Sequence, residues 1–309
     1  MSDKPAIGFI GVGLMGHGMA ANILKGGYSL TVMGNRNRAP VEDLLAHGAT
    51  EVTSAREMAQ RCDVICLCLP NSDLVEALML GPDGIIENAR PGLTVIDSTT
   101  ANPTSTEALA RQMAARGLHL VDAPLGRTPK EAEAGTLDAM VGGDDATVAR
   151  VRPIIDCWAG VVNHVGPVGA AHKMKLIMNF LSMGYAAMYS EATVLAAKVG
   201  LPPQAVRDVI GASRLSNGFF ETFMKYAVGR DRDAHKFSIA NGSKDVRYLA
   251  NMASDAGVVN ILGAAVKHYF THAEAIGKGD HYVPMLSDII ADMNGLDLAE
   301  AVARGEKAR

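Results

Sequence analysis

Short, nearly continuous runs of apolar residues recur through the first half of the chain. The runs lie at residues 6–13, 29–34, 64–70, 93–99, 118–124, 137–143 and 161–166. Strands that are covered on both faces of a parallel sheet carry this uninterrupted Val, Ile and Leu pattern. Segments with helical spacing of apolar positions, such as 19–24 and 41–46, lie between them. The alternation predicts a doubly wound α/β domain.

The pattern changes after about residue 166. An Ala-, Met- and Leu-rich stretch from His172 to Val199 contains one glycine and no proline, and it ends at Gly200 followed by Leu-Pro-Pro. Glycine and then proline after such a run are typical of the end of a helix. Further helical patterns follow. We therefore predict one long helix that leads into an all-helical second domain, with the two domains at residues 1–165 and 166–309.

Composition and charge narrow the class of protein. With 309 residues, of which 48% are hydrophobic and 20% charged, the chain is typical of a globular protein of two domains. The formal charge of −4 gives no global basic field, so we expect no nucleic-acid partner. No apolar run reaches the roughly 18 residues of a membrane span, and the start lacks the features of a signal peptide. We expect a cytoplasmic protein without a membrane partner.

The cysteines and histidines predict neither a disulfide nor a metal site. Cys66 and Cys68 alternate within an apolar run, as buried strand residues do, and Cys62 and Cys157 stand apart. There is no CxxC pair, and the histidines show no ligand spacing. We expect reduced thiols and no metal.

A glycine motif at the end of the first predicted strand indicates dinucleotide binding. Gly11, Gly13 and Gly16 form G-x-G-x-x-G directly before a helical pattern. The first glycine permits a tight turn, the second lets the backbone approach a pyrophosphate, and the third allows helix and strand to pack closely. Exposed N–H groups at the positive end of the helix then hold the phosphates. In a Rossmann-type domain, the predicted binding residues of this turn are Gly11, Val12, Gly13, Leu14, Met15 and Gly16.

The loop after the second predicted strand indicates which dinucleotide binds. A carboxylate about 20 residues after the glycine motif would accept hydrogen bonds from the adenosine ribose of NAD. That place holds Asn35, Arg36, Asn37 and Arg38, and no carboxylate. Guanidinium groups can instead hold a 2′-phosphate through paired hydrogen bonds. We therefore expect Asn35 and Arg36 to contact the cofactor and NADP(H) to be favoured over NAD(H). The alternative is a pair of solvated arginines.

The stretch FIGVGLMGHGMAANI at residues 9–23 resembles the N-terminal signature of the β-hydroxyacid dehydrogenase family. This family includes 3-hydroxyisobutyrate dehydrogenases and tartronate semialdehyde reductases. The resemblance covers nearly the whole chain and continues in LPN (69–71), DSTT (97–100), DAP and GTLDAMVGG (within 122–143), the Gly-, Lys- and Asn-bearing stretch 166–179, and Lys244-Asp245. It implies a Rossmann domain joined by a long helix to an all-helical domain. It also implies an NAD(P)-dependent oxidoreductase that acts on CH–OH groups and assembles as a homodimer or homotetramer.

The resemblance implies a catalytic pair on the long helix. Lys175 matches the catalytic lysine of the family, and Asn179 matches the asparagine one helical turn later. An ammonium can protonate the alkoxide that hydride delivery creates, and a neighbouring cation such as Lys173, Arg127 or Lys244 would lower its pKa. An amide can hold a substrate oxygen without exchanging protons. The alternative for Lys175 is a surface lysine whose aliphatic chain lies along apolar residues.

Family residues that contact the cofactor have matches elsewhere in the chain. Thr100 and Lys244 match residues near the nicotinamide. Leu69 and Pro70 match residues whose backbone contacts the dinucleotide. The resemblance therefore implies that separate segments of the chain join the glycine turn around the cofactor.

The segment after the DAP motif departs from the usual Ser-Gly-Gly of the family, whose hydroxyl and amides receive a carboxylate. This chain has Gly126, Arg127 and Thr128 at that place. Thr128 with Glu131 three residues later is a capping-box pattern, so Arg127 directly precedes a predicted helix. A guanidinium, a hydroxyl and a helix N-terminus suit a tetrahedral oxyanion such as sulfonate or phosphate.

The Gly-Arg-Thr tripeptide also resembles the 3-sulfolactaldehyde reductases of the family, in which it contacts the sulfonate. We therefore expect reduction of a short anionic hydroxyaldehyde, with 3-sulfolactaldehyde as the best match and 2,3-dihydroxypropane-1-sulfonate as its product. Alternative substrates are 3-hydroxyisobutyrate and tartronate semialdehyde (2-hydroxy-3-oxopropionate). Those reductases pair with NADH and carry an acidic residue after the second strand, unlike Asn35 and Arg36 here. Further alternatives are a surface ion pair from Arg127 to Glu131 or Glu133, an iminium reductase and a non-enzymatic nucleotide-binding scaffold.

Overall fold

The computed structural model of the chain describes residues 4–307. It divides into two compact units, the first ending at Lys175 and the second beginning at Leu176. The predicted domain boundary between residues 165 and 166 stays a prediction, because a compact unit need not coincide with a domain that folds by itself.

Within residues 4–307, nine strands form one sheet, which lies in the first unit. They are β1 Ile7–Ile10, β2 Leu30–Met33, β3 Thr50–Val52, β4 Val64–Leu67, β5 Thr94–Asp97, β6 His119–Asp122, β7 Leu125–Gly126, β8 Leu137–Gly142 and β9 Ala159–Gly166. Their order is β3-β2-β1-β4-β5-β6-β8-β7, and β9 pairs with β8. The pairs from β3 to β6 are parallel, whereas β8 runs antiparallel to β6 and β7. The apolar runs did not predict β3 and β7, because two or three residues give no periodic signal.

The apolar runs at β1, β4 and β5 form strands that are buried at every position, whereas β9, from the run at 161–166, is mostly exposed. On β4 and β5, Cys66 and Ile96 belong to one hydrophobic core, whereas Ile65 and Val95 belong to the other. Successive side chains of a strand point to opposite faces, so each run has to be apolar throughout. The prediction of a doubly wound α/β domain is confirmed.

Helices cover both faces of this sheet. The first unit contains α1 Gly16–Lys25, α2 Ala39–Ala46, α3 Ala55–Arg61, α4 Ser72–Met79, α5 Ile85–Asn88, α6 Pro103–Ala114, α7 Pro129–Ala134 and α8 Asp145–Ile155. The long helix α9, Ala170–Lys198, begins in the first unit and continues in the second. It was predicted from His172 to Val199; it begins two residues earlier and ends one residue earlier, at Lys198.

The second unit is helical throughout its described residues. After α9 it contains α10 Pro203–Gly211, α11 Gly218–Ala227, α12 Ile239–Asp255, α13 Ile261–Ala275, a 3₁₀ turn Val283–Met285, α14 Leu286–Met293 and α15 Leu298–Lys307. Its core includes Phe220, Phe223 and Phe270, all nearly inaccessible to solvent. The predicted all-helical second part is confirmed. None of the helices in residues 4–307 is long and apolar enough to cross a membrane.

Candidate active site

The glycine turn connects β1 to α1 in the form that the motif predicts. Gly11 has a φ of +100°, in the left-handed region that glycine adopts readily. A Cβ on Gly11 would overlap the carbonyl oxygen of Cys68, and a Cβ on Gly16 would overlap that of Gly11. Larger residues at Gly11 or Gly16 would therefore force the turn open.

The start of α1 fits the phosphates of a dinucleotide. No atom lies within 4 Å of the place where a Cβ on Gly13 would be, and Leu14 is 81% exposed. Met15 at the N-cap makes no side-chain capping bond, and the first turn of α1 has no acidic residue. The N–H groups at such a helix start attract anions. The turn therefore offers an open, uncapped backbone surface to a pyrophosphate.

Other predicted cofactor residues follow the carboxyl ends of the neighbouring strands β4 and β5. The N–H of Leu69 donates to the hydroxyl of Thr99 at 3.1 Å, which joins the loops after these two strands. Pro70 and Thr100 come directly after these residues. Because β1, β4 and β5 are adjacent, the glycine turn, Leu69–Pro70 and Thr100 share one edge of the sheet, where open α/β sheets bind ligands. Lys244 lies on α12 in the second unit.

The two arginines after β2 are placed differently. Both terminal nitrogens of Arg38 bond to the carboxylate of Glu51, at 2.6 and 2.9 Å. The hydrogen bonds of this pair raise the pKa of Arg38 and lower the pKa of Glu51. The exposed guanidinium of Arg36 makes no hydrogen bond or ion pair within residues 4–307, and the side chain of Asn35 accepts the Arg36 N–H at 2.9 Å. Of these two arginines, Arg36 is therefore the one whose guanidinium nitrogens remain available to a ligand.

Arg127 lies in a strained turn between β7 and α7. Its φ is +77°, in the left-handed region that residues with a side chain rarely occupy. Its Nε lies 2.9 Å from Oδ2 of Asp138, and its side chain is 47% exposed. The two terminal nitrogens make no hydrogen bond within the described part of the chain. The ion pair is with Asp138, not with Glu131 or Glu133 as the alternative supposed.

Thr128 caps α7 as the sequence predicted. Its N–H donates to the carboxylate of Glu131 at 3.1 Å, and its hydroxyl donates to the same oxygen at 2.5 Å. These hydrogen bonds lower the pKa of Glu131. The hydroxyl proton of Thr128 is therefore engaged with Glu131, whereas the two terminal nitrogens of Arg127 make no hydrogen bond within residues 4–307.

Lys175 reaches the same turn from α9. Its Nζ donates to the carbonyl oxygen of Leu125 at 2.7 Å, one residue before Gly126. The side chain is half-buried, which differs from a lysine whose ammonium extends into solvent. The first unit therefore brings the ammonium to the peptide group between Leu125 and Gly126, two residues before Arg127.

Three cations were expected to lower the pKa of the lysine, and each has a carboxylate partner. The pairs are Lys173 with Glu107 (2.6 Å), Arg127 with Asp138 (2.9 Å) and Lys244 with Asp245 (3.2 Å). A carboxylate partner offsets part of a cation's positive charge. Each of these cations would therefore lower the pKa of a neighbouring ammonium less than an unpaired cation would.

In the second unit, Asn179 contacts a residue to which the sequence analysis gave no role. Its Nδ2 donates to Oδ2 of Asp245 at 2.6 Å, and both residues are buried. The bond orients the amide, because only its nitrogen can donate to a carboxylate. The oxygen of Asn179 is then the end that can accept from a hydroxyl. In the sequence, Asp245 could have been found only as part of the Lys244-Asp245 dipeptide that resembles the family.

Two buried carboxylates, for which the sequence predicted no role, end neighbouring strands. Asp97 ends β5 and Asp122 ends β6, in register with each other. Asp97 accepts the N–H of Thr99 at 3.0 Å, and burial raises the pKa of its carboxyl. Asp122 accepts hydrogen bonds from the start of α9. Asp97 is the first residue of the DSTT motif and Asp122 the first residue of the DAP motif, so both lay within the sequence resemblance.

The four cysteines are free thiols. Cys66 and Cys68 pack against the same core, as their alternation predicted. Burial raises the pKa of Cys62 to about 11 and the pKa of Cys68 to about 12, so these thiols are not activated as nucleophiles. Within residues 4–307, no group of three His, Cys, Asp or Glu side chains could hold a metal ion.

Comparison with known proteins identifies the family. Residues 6–166 match the NAD binding domain of 6-phosphogluconate dehydrogenase, and residues 169–287 match the NAD-binding region of NADP-dependent 3-hydroxyisobutyrate dehydrogenase. The chain is 31% identical to 2-(hydroxymethyl)glutarate dehydrogenase of Eubacterium barkeri over 302 residues, which cover 97% of this chain and 99% of that protein. The chain belongs to the β-hydroxyacid dehydrogenase family. It is thus an NAD(P)-dependent oxidoreductase that acts on CH–OH groups, as the resemblance implied.

Other family members differ in the substrates that their names state. The chain is 33% identical over 274 residues to 3-sulfolactaldehyde reductase of Escherichia coli, with 89% of this chain and 92% of that protein covered. Among solved structures, 3-hydroxyisobutyrate dehydrogenase of Mycobacterium tuberculosis matches with a TM-score of 0.82 and 27% identity over 93% of this chain and 99% of that one. This β-hydroxyacid dehydrogenase therefore has relatives with both sulfonate and carboxylate substrates.

Proposed function

We propose that this β-hydroxyacid dehydrogenase reduces 3-sulfolactaldehyde to 2,3-dihydroxypropane-1-sulfonate with NAD(P)H. One juxtaposition carries the proposal. The ammonium of Lys175 lies 2.7 Å from the carbonyl oxygen of Leu125, two residues before Arg127. The ammonium thus contacts the backbone of the turn that carries the Arg127 guanidinium, and reduction of a short anionic aldehyde uses one group of each kind.

The residues of the chain bind the anion, orient the carbonyl group and supply one proton. The bound dinucleotide supplies a hydride for the carbonyl carbon. Lys175 acts as the general acid: a proton passes from its ammonium to the substrate oxygen as charge develops there, and the neutral amine regains a proton from solvent. The hydrogen bond to Leu125 holds the ammonium at the turn. On the same helix, Asn179 accepts a hydrogen bond from a substrate hydroxyl through its oxygen.

Arg127 is the proposed anion-binding residue. Asp138 holds its Nε at 2.9 Å, which orients the guanidinium and leaves the edge formed by the two terminal nitrogens for the substrate. That edge makes two parallel hydrogen bonds to a sulfonate. A Cβ on Gly126 would lie 3.3 Å from the Cβ of Asp138, the residue that holds Arg127, and Thr128 caps α7 directly after it. A carboxylate also fits a guanidinium, so 3-hydroxyisobutyrate and 2-hydroxy-3-oxopropionate remain the competing substrates.

We also infer a preference for NADP(H) over NAD(H). The fork of Arg36 makes no bond within residues 4–307, and the second family match is to an NADP-dependent enzyme. A 2′-phosphate would satisfy this guanidinium, with Asn35 beside it. The free thiols and a soluble cofactor favour the cytoplasm as the place of action.

Self-association is a further part of the proposal. Large apolar residues of α9 are exposed at helical spacing, which is unusual for a surface that stays in water. They are Met174, Ile177, Met178, Leu181, Met188 and Leu195. A second copy of the chain on this stripe would give the expected homodimer, or a homotetramer built from it.

The test is a comparison of kcat/KM on 3-sulfolactaldehyde, 2-hydroxy-3-oxopropionate and the semialdehyde of 3-hydroxyisobutyrate, each with NADPH and with NADH. We expect the highest value for 3-sulfolactaldehyde with NADPH. A higher value for either carboxylate would overturn the substrate assignment.

Lys175→Ala is the control for the chemistry. Loss of a general acid lowers turnover by about 10²- to 10⁴-fold. Dinucleotide binding should survive, and energy transfer from Trp158, the single tryptophan, can report it. Turnover by Lys175→Ala at the wild-type rate would remove the general-acid role.

A further inference from the structure

The helix that carries Lys175 begins at a residue that has no side chain to cap it. The carbonyl oxygen of Gly169 accepts the N–H of Lys173 at 3.0 Å, which makes Gly169 the N-cap of α9. The first N–H groups of a helix have no partner within the helix and need acceptors from elsewhere. Gly169 has a φ of +89° and offers none of its own.

Asp122 supplies the missing acceptors from the end of β6. Its Oδ1 accepts the N–H of Gly169 at 2.7 Å, and its Oδ2 accepts the N–H of His172 at 2.9 Å. These are the N-cap and N3 positions, whose N–H groups are taken by two separate side chains in a capping box. Here one carboxylate, 47 residues earlier than Gly169 in the chain, takes both.

The surroundings of Asp122 are shaped for this carboxylate. Asp122 is fully buried, and its register partner on β8 is Gly142. A Cβ on Gly142 would lie 2.5 Å from Oδ1 of Asp122 and 2.9 Å from its carboxyl carbon. Any residue larger than glycine would therefore overlap this carboxylate. A buried carboxylate with both oxygens bonded is stabilised further by the positive end of the helix.

The same short segment also receives the lysine. Leu125, whose carbonyl oxygen holds Lys175, comes three residues after Asp122, and Lys175 comes three residues after His172. The two connections tie the end of β6 to the first two turns of α9. A helix turns by about 100° per residue, so a shift of one residue would carry Lys175 away from Leu125.

We propose that Asp122 is a positioning residue for proton transfer: it caps α9 from β6 and thereby sets the ammonium of Lys175 at the turn before Arg127. The inference rests on the proposed role of Lys175 as the general acid. Asp122 touches neither the substrate nor the cofactor in this scheme.

The test begins with Asp122→Asn. An amide keeps one acceptor but turns its NH₂ group toward an N–H of α9, so the start of the helix shifts. Because displacement of a reacting group by about 1 Å can cost 10²-fold in rate, we expect kcat to fall by about 10- to 100-fold. The dissociation constant of NADPH, measured through Trp158, should stay within about twofold, because the glycine turn is untouched.

Chemical rescue separates positioning from general damage. In Lys175→Ala, an added small primary amine can supply the proton without being held by α9. The rescued rate should be the same in Lys175→Ala and in Lys175→Ala/Asp122→Asn. A rescued rate that falls further in the double variant would show that Asp122 acts apart from Lys175, and it would overturn the proposal.

Asp144→Ala is the matched control for the loss of a helix cap. Asp144 caps α8, where its side chain accepts the N–H of Thr147 at 2.9 Å, and α8 carries no residue of the proposed site. This variant should lower the melting temperature and leave kcat unchanged. Wild-type kcat in Asp122→Asn, or loss of NADPH binding together with kcat, would contradict the proposal.

Gly142→Ala covers the case in which Asp122→Asn does not fold. It keeps the carboxylate but displaces it, and it should reproduce the fall in kcat with unchanged NADPH binding. Wild-type kcat in Gly142→Ala would overturn the proposal. Failure of the proposed function would be visible separately, because Lys175→Ala would then keep its turnover.

Discussion

Two loops of the first unit carry arginines for which the sequence predicted an anion, and in each loop one arginine has a carboxylate partner. After β2, Arg38 gives both terminal nitrogens to Glu51. After β7, Arg127 gives only its Nε to Asp138. A guanidinium pairs with phosphate or sulfonate through two parallel N–H groups, and the two terminal nitrogens of Arg127 keep this geometry. The geometry of the ion pair, more than its presence, therefore decides whether an arginine stays available to a ligand.

The backbone conformations of Arg38 and Arg127 also differ. Arg38 has φ of −86° and ψ of −26°, an ordinary helical conformation at the N-cap of α2. Arg127 has φ of +77°, which costs a residue with a side chain about 1–3 kcal/mol. Such strain is found most often where function needs the side chain in that place. The strain at Arg127 therefore favours a functional role for the loop after β7 over one for the loop after β2.

The largest expected effect comes from Arg127→Gly. Loss of a charge-assisted bond of about 1.5–3 kcal/mol should raise the KM for 3-sulfolactaldehyde by about 10- to 150-fold. The melting temperature should not fall, because glycine accepts the positive φ without strain. Steady-state kinetics and thermal unfolding measure the two effects.

Arg127→Ala serves as the control for Arg127→Gly, since it removes the guanidinium and keeps a side chain at the strained position. It should raise KM equally and have the lower melting temperature of the two. An unchanged KM in both variants would show that this loop does not bind the anion.

The loop after β2 should give a smaller effect, and on the cofactor. Arg36→Ala should raise the KM for NADPH by about tenfold, equivalent to about 1.4 kcal/mol, and should leave the KM for NADH unchanged. Arg38→Ala is the matched control. It should change neither the KM for NADPH nor the KM for NADH by more than about twofold, because both terminal nitrogens of Arg38 already bond to Glu51. Steady-state kinetics with both cofactors measures this. A larger effect at Arg38 than at Arg36 would reverse the assignment and imply that Glu51 releases Arg38 when the cofactor binds.

The features that could be predicted from the sequence are those that depend on residues close together in the chain. Continuous apolar runs predicted β1, β4 and β5, because strands buried on both faces need apolar residues at every position. The glycine turn was predictable because a side chain at Gly11 or Gly16 would overlap the backbone. The capping box of Thr128 and Glu131 was predictable because its two residues are close in sequence.

The contacts that define the site join distant residues and could not be predicted in this way. Glu51 lies 13 residues from Arg38, and Asp245 lies 66 residues from Asn179. Such pairs depend on how strands and helices pack, and no spacing rule within one element expresses them. Asp122 stood inside a recognised motif, yet its capping role appears only when the start of α9 is placed beside β6.

His17 connects the helices that follow the two arginine loops. Its Nε2 lies 2.9 Å from Asp43 on α2, and its Nδ1 lies 2.8 Å from Glu133 on α7. An ionised carboxylate only accepts hydrogen bonds, so both contacts are hydrogen bonds when the imidazole carries a proton on each ring nitrogen. Burial opposes this charge and lowers the pKa of His17, but the hydrogen bonds to Glu133 and Asp43 outweigh it and leave the pKa raised. Both loops are thus tied to α1 through one imidazolium.

The smallest expected effect is the pH dependence of this connection. A histidine whose pKa is raised by folding stabilises the protein fully below its unfolded value of about 6.5, and that contribution is lost as the pH rises through the folded value. His17→Gln should therefore lower the free energy of unfolding by about 1 kcal/mol at acidic pH, since partly exposed ion pairs each contribute about 0.2–1 kcal/mol. At alkaline pH the variant and the wild type should converge. Chemical denaturation at several pH values measures the difference. His47→Gln is the control, because His47 is 69% exposed and lies 3.6 Å from the carboxylate of Asp43. A constant difference across pH would mean that His17 acts through packing, and the two loops would then be held to α1 without any charge between them.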